Sequence, residues 1–172
     1  MIKIKWIISV LAISVFAACS PNSRKTDEQK LTDSNTVNTQ QQAVKGLKAR
    51  IAIDKVQSLD KPIEMTFTVY NSADSSQTFC KWHTPFEALM SKYLDIISAD
   101  GTEVAYKGPM AKRVMPPPAD SYVSVAAKDS LSIKVDLTRG YDFKAIGTYT
   151  IRYNSGSISG LTAIDSLSFT IK

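Results

Sequence analysis

An all-β sandwich is the fold class this chain predicts, and three observations predict it. Short runs alternate apolar and polar residues with period two, turn-forming residues punctuate them at regular intervals, and no long amphipathic helix pattern intervenes. Alternation of this kind marks strands with one face on a core and one in water, and about eight of them packed as two layers make a sandwich.

The alternation begins at Leu47-Lys48-Ala49-Arg50-Ile51-Ala52-Ile53. In the next run, Ile63 to Tyr70, it puts Ile63, Met65, Phe67 and Val69 on one face. Further strands are expected near Thr78–Trp82, Tyr93–Ser98, Tyr122–Ala126, Leu131–Leu137, Thr148–Tyr153 and Ile164–Ile171. Turn signals separate them: Asp60-Lys61-Pro62, Asn71-Ser72-Ala73-Asp74, Asp100-Gly101, Ala127-Lys128-Asp129 and Asn154-Ser155-Gly156. Asp100-Gly101 sits between apolar runs and reads as a tight hairpin. Short helical turns fit Pro85–Lys92 and Thr138–Phe143. Gly147-Thr148-Tyr149 opens a late strand, where a tyrosine can hydrogen-bond back to the backbone and pin the crossing between sheets. That corner supports an immunoglobulin-like β-sandwich; an ordinary core aromatic is the equal alternative reading of Tyr149.

The amino terminus, MIKIKWIISVLAISVFAACS, predicts where the domain is placed. Lys3 and Lys5 precede an apolar run of thirteen residues, Trp6 to Ala18. That is too short for a helix spanning a bilayer core of roughly 30 Å. Small residues before Cys19 complete the layout of a secretory signal peptide. Phe16-Ala17-Ala18-Cys19 also resembles the lipobox of bacterial lipoproteins, with Phe16 in place of the usual aliphatic residue. Residues 1–18 are therefore expected to be a lipoprotein signal peptide and Cys19 the lipidated first residue. An ordinary signal peptide with a chance cysteine is the alternative. Residues 20–45 are polar and nearly free of aliphatic side chains, so they cannot bury enough surface to offset ordering entropy. Residues 19–45 are expected to be a disordered tether with a reach of roughly 25–30 Å. The sandwich is expected over residues 46–172.

Composition excludes several functions. Removing residues 1–18 takes away two lysines and no acid, so the formal charge falls from +5 to +3. Scattered basic residues at that net charge do not make a nucleic-acid surface. With Cys19 lipidated, Cys80 has no intramolecular partner, and the fold stands on its core without a disulfide. The one histidine, His83, lies three positions from Cys80. Odd spacing in a strand puts the two on opposite faces, which argues against a Cys–His dyad. Gly156-Ser157-Ile158-Ser159-Gly160 mimics a nucleophile elbow but has Ile at the nucleophile position, and Ser58-Leu59-Asp60-Lys61 lacks its companion motifs.

The segment Phe79-Cys80-Lys81-Trp82-His83-Thr84-Pro85-Phe86-Glu87 opens a longer pattern. It continues through Tyr106-Lys107-Gly108-Pro109, Lys112-Arg113, Tyr141-Asp142 and Gly147-Thr148-Tyr149-Thr150-Ile151-Arg152-Tyr153. This pattern resembles the amino-terminal β-sandwich domain that precedes the catalytic domain of bacterial deuterolysin-like, peptidyl-Lys metalloendopeptidases. The resemblance covers roughly residues 46–171 and implies the fold and an association with a protease. It implies no activity, because catalytic zinc of that kind needs His-Glu-x-x-His and a further ligand, and this chain has one histidine. A weaker similarity, in Phe67-Thr68-Val69-Tyr70-Asn71 and Gly147–Tyr149, is to small immunoglobulin-like proteinase inhibitors of bacteria.

Two segments are candidates for binding a partner protein. Trp82, His83 and Pro85 either form an interface patch or fill the core and cap a strand end, and the residues alone favour the second. In the segment Lys107 to Pro118, three consecutive prolines are expected to stiffen the chain into an extended, largely polyproline form. Lys112 and Arg113 would offer charge, Met110 and Met115 adaptable contact, and Pro117 rigidity. A rigid crossover between the sheets is the structural alternative. The expected protein is a non-catalytic envelope lipoprotein, outer-membrane anchored, displaying a protein-binding domain to an exported protease or another envelope protein. The alternative is a structural lipoprotein without a discrete ligand. No metal or cofactor beyond the covalent lipid is expected, and no nucleic acid.

Overall fold

The computed structural model describes residues 46–154, 158–163 and 166–172. The expected signal peptide, Cys19 and the tether lie outside them, as do Ser155-Gly156-Ser157 of the expected turn and of the elbow mimic, and Ile164 of the last predicted strand. Among the described residues the chain forms β1 (Leu47–Ile53), β2 (Val56–Gln57), β3 (Glu64–Asn71), β4 (Gln77–Cys80) and β5 (Leu94–Ser98). It continues with β6 (Tyr122–Val125), β7 (Ser130–Asp136), β8 (Gly147–Tyr153) and β9 (Ser166–Ile171). All eight predicted strands are present. The ninth, β2, is two residues long and pairs parallel to β9. Short 3-10 turns occupy Pro85–Glu87 and Leu137–Arg139, overlapping the predicted helical turns, and a third, Ala119–Ser121, was not predicted.

One sheet has the order β1-β3-β7 and the other β2-β9-β8-β5. Period-two alternation sends Ile63, Met65, Phe67 and Val69 inward, and all four are fully buried. They meet Leu94, Ile96, Ile151, Tyr153, Phe169 and Ile171 from the opposite sheet in one core. Each such side chain stabilises the fold by roughly 1.5–3 kcal/mol relative to exposure. Phe67 on β3 and Tyr153 on β8 touch across the layers with ring centroids 5.1 Å apart, and Phe86 packs edge-on to Phe67 at 6.2 Å. Aromatic contacts thus join the sheets where antibody domains use a disulfide; Cys80 is free and buried.

The corner at Tyr149 is formed. Its hydroxyl donates to the Ala145 carbonyl at 2.7 Å, four residues upstream. The Asp100-Gly101 turn is formed too. Gly101 takes φ +87, a conformation glycine adopts without cost, and Ile97 bridges Glu103 across the turn.

The strands β4 and β6 form a two-stranded ribbon that extends the first sheet. The β3–β7 ladder runs from Glu64↔Asp136 to Tyr70↔Ser130, and pairing resumes from Gln77↔Val125 to Cys80↔Tyr122. The break holds two more residues on the β3–β4 side than on the β6–β7 side. Asn71 sits at this irregularity, buried. Its Nδ2 lies 2.9, 3.0 and 2.8 Å from the carbonyls of Ser75, Val125 and Ala126, and its Oδ1 accepts from the Ala73 N–H. One side chain thereby ties together the two sides of the broken ladder. The chain between Cys80 and Tyr122 leaves and returns at the far end of this ribbon, and both candidate segments lie on it.

Candidate protein-binding site

The site is built from the end of β4 outward. After Cys80 the strand stops at a tight sequence of caps. The Thr84 hydroxyl donates to the Lys81 carbonyl at 2.6 Å and accepts from the Phe86 N–H, which starts the 3-10 turn with Pro85 at its first position. His83 takes a left-handed conformation, φ 58, just before this cap, and its carbonyl accepts from the Tyr153 hydroxyl at 3.0 Å. The turn aims the Glu87 carboxylate at the returning loop.

The loop comes back through Tyr106, whose hydroxyl lies 2.7 Å from the Leu89 carbonyl and 2.9 Å from that of Pro109. The Ala111 N–H then bonds the Met90 carbonyl at 3.0 Å. Arg113 closes the base. Its guanidinium pairs with Glu87 and lies 4.8 Å over the Trp82 ring. Ion pair and ring face bind one cation, in a setting where Glu87 and Arg113 are mostly shielded from water. Beyond this clamp the side chains point out: Met110 is 70%, Val114 81% and Met115 57% exposed. Lys112 is exposed between them. The Met115–Pro116 peptide, just ahead of the proline run, is cis, and Pro118 at the end of the run takes the polyproline φ −67, ψ 160.

The seven predicted residues therefore divide. Lys112 and Met115 are on the surface, and Pro117 is half-buried beside them. Arg113 is half-buried, and its charge is matched by Glu87, so it fixes the loop and does not present a free cation. Trp82 and Pro85 are buried. Neither forms a surface patch, and Trp82 lies under Arg113 at the strand end, outside the central core cluster. His83 is half-buried at the same end. Sequence reasoning missed Val114, the most exposed large apolar side chain among the described residues, and Glu87, which orders the clamp. An aliphatic residue between Arg113 and Met115 in a polar, proline-flanked stretch was the available signal for the first.

The site has no arrangement for nucleophilic chemistry at Cys80. Burial pushes the Cys80 thiol up, whereas burial and then the Arg113 guanidinium push His83 down. A thiolate–imidazolium pair needs both shifts reversed. Among the described residues no group of three or more His, Cys, Asp and Glu is placed to hold a metal ion. None of the helices there is long and apolar enough to cross a membrane.

Comparison with known proteins bears on the whole domain. A family model described as an immunoglobulin-like domain matches residues 50–153. An extracellular protease of Aeromonas hydrophila is 31% identical over 108 residues, covering 63% of this chain. The chain spans about 30% of the length of that protease. Among solved structures, an alkylpurine DNA glycosylase of Pseudomonas fluorescens bound to DNA aligns at 14% identity and TM-score 0.33, covering 74% of this chain and 30% of that one. A likeness so slight carries no weight for function.

Proposed function

The chain belongs to the immunoglobulin-like domain family, and from that premise we propose that it is a non-catalytic envelope lipoprotein whose sandwich binds another protein, as an accessory or inhibitor-like module for an exported protease. The observation that carries this reading is the exposed apolar tip Met110–Val114–Met115, held out by the Arg113–Glu87–Trp82 clamp. Ordering the base of a loop before contact lowers the entropy cost of association. Methionines on the tip adapt to a partner, and Lys112 adds a rim charge. Similarity to part of an extracellular protease supports the choice of partner class. The resemblance of residues 16–19 to a lipobox supports anchoring through Cys19, with the polar stretch 20–45 as tether; the outer membrane is the location we propose for it.

Crosslinking capture from intact envelopes tests this, with the full chain as bait beside a Met110→Asp, Val114→Asp, Met115→Asp variant. One stoichiometric protease recovered with the parent chain and lost with the variant is expected. Recovery of nothing above background, or equal recovery with both baits, overturns the loop as the site and favours a structural envelope role. Incorporation of an alkyne-tagged fatty acid, abolished by Cys19→Ser, tests the anchor separately.

A further inference from the structure

We infer that the outer edge of β7 is a docking strand for an extended, acidic peptide segment of another protein, bound by strand addition. The sheet edges are β1 and β7 in one sheet, β5 and the two-residue β2 in the other. The chain covers part of two of them itself. The Ala49 N–H on β1 bonds the Thr162 carbonyl at 3.1 Å, and beside β5 the Val104 N–H bonds the Ile96 carbonyl at 2.8 Å. No backbone hydrogen bond covers the outer side of β7 among the described residues.

Parity identifies the open groups. The Leu137 N–H bonds the Ile63 carbonyl and the Asn71 N–H bonds the Asp129 carbonyl. In an antiparallel ladder alternate residues bond the same neighbour, so Ser132, Lys134 and Asp136 direct their N–H and C=O groups away from β3. A groove of about 690 Å³ is lined by this segment together with Pro85, Phe86, Leu89, Met90 and Pro109. Open main-chain donors and acceptors beside apolar side chains are what strand addition uses.

Charge selects the occupant. Lys81 and Arg139 line the groove. The Lys81 ammonium donates to a backbone carbonyl, that of Asp120, and Arg139 has no ion pair among the described residues. Of the two acids there, Glu87 is paired with Arg113, and Asp136 accepts from the Thr138 N–H and hydroxyl, leaving two cations against one unpaired carboxylate. Lys134 on the strand pairs with Glu64 at 3.5 Å and, as an exposed lysine at an edge, disfavours edge-to-edge pairing of two copies. The inference adds a second surface to the proposed binding module and rests on that reading only in taking the partner to be a protein.

The test is backbone amide exchange on the full chain in detergent, with a capped six-residue peptide alternating valine and glutamate, and a valine–lysine peptide as control. The acidic peptide is expected to slow exchange at Ser132, Lys134 and Asp136 by about tenfold or more, the control far less. Lys134→Pro removes one outward N–H without breaking the β3 ladder and should abolish the effect. The double variant Lys81→Glu, Arg139→Glu should abolish it too, and decides the matter alone if Lys134→Pro unfolds. Unchanged exchange at these three amides, equal slowing by the lysine peptide, or slowing without peptide through a concentration-dependent dimer would overturn the inference. The Met110→Asp, Met115→Asp variant should leave the slowing intact, so failure of the loop and failure of the edge read out separately.

Discussion

The guanidinium of Arg113 lies 4.8 Å over the ring of Trp82 while its nitrogen pairs with Glu87. These three residues come from the end of β4, the following 3-10 turn and the returning loop, so one cation ties two otherwise separate pieces of chain. Arg113→Ala is expected to cost roughly 1–2 kcal/mol of stability, since both partners are shielded from water. Urea denaturation of Arg113→Ala, Glu87→Ala and the double variant measures it. Simple additivity of the two single effects would show the pair to be uncoupled.

Asn71 replaces the missing ladder bonds where β3 passes into β4. Asn71→Ala removes the bonds of one buried side chain to the carbonyls of Ser75, Val125 and Ala126 and from the Ala73 N–H, with an expected loss of roughly 2–3 kcal/mol. Asn71→Asp should be no better, because a carboxylate has no N–H to give these carbonyls. A thermal melt of each variant decides, and an Asn71→Asp chain as stable as the parent would contradict the role assigned to Nδ2.

Tyr149→Phe removes only the hydroxyl that reaches Ala145. About 1 kcal/mol is expected, with the ring stacking on Phe169 retained at 5.7 Å. Calorimetry on the variant checks the size, and the Ala145 neighbourhood should be the region whose amide exchange quickens.

His83 gives the fold a predictable acid sensitivity. Burial, then Arg113, hold it below the ordinary value of 6.5. The unfolded chain therefore takes up the proton first as pH falls, so stability is full above about 6.5 and declines as pH drops through 6.5 toward the folded-state value. In His83→Asn, which tolerates the left-handed backbone, that part of the decline should vanish. Denaturation midpoints from pH 8 to pH 5 test it: parallel curves for parent and variant would assign the acid sensitivity to other groups.

The strands were legible because their signal is local. Ile63, Met65, Phe67 and Val69 announce a buried face by spacing alone, and Tyr149 announces a corner by its Gly-Thr-Tyr context. β2 escaped because two residues carry no period, and its parallel partner stands at the other end of the domain. The clamp escaped for a related reason. Arg113 reads as a surface charge until the fold brings Glu87 and Trp82 beneath it, and no spacing between residues 82, 87 and 113 encodes that meeting. Trp82 was legible as a large residue needing cover, but not as one covered by a cation.

The parallel pairing of β2 with β9 also sets a schedule. In a chain threaded amino terminus first, β1 and β3 can join early, since little separates them. β3 waits for β7 on its other side, and Val56 waits for Thr170 on the ninth strand. Contacts between distant parts of a chain form slowly. The domain consequently stays open until its final strand is delivered, and that strand works as the latch: a chain truncated before Ser166 should neither complete the second sheet nor retain β2.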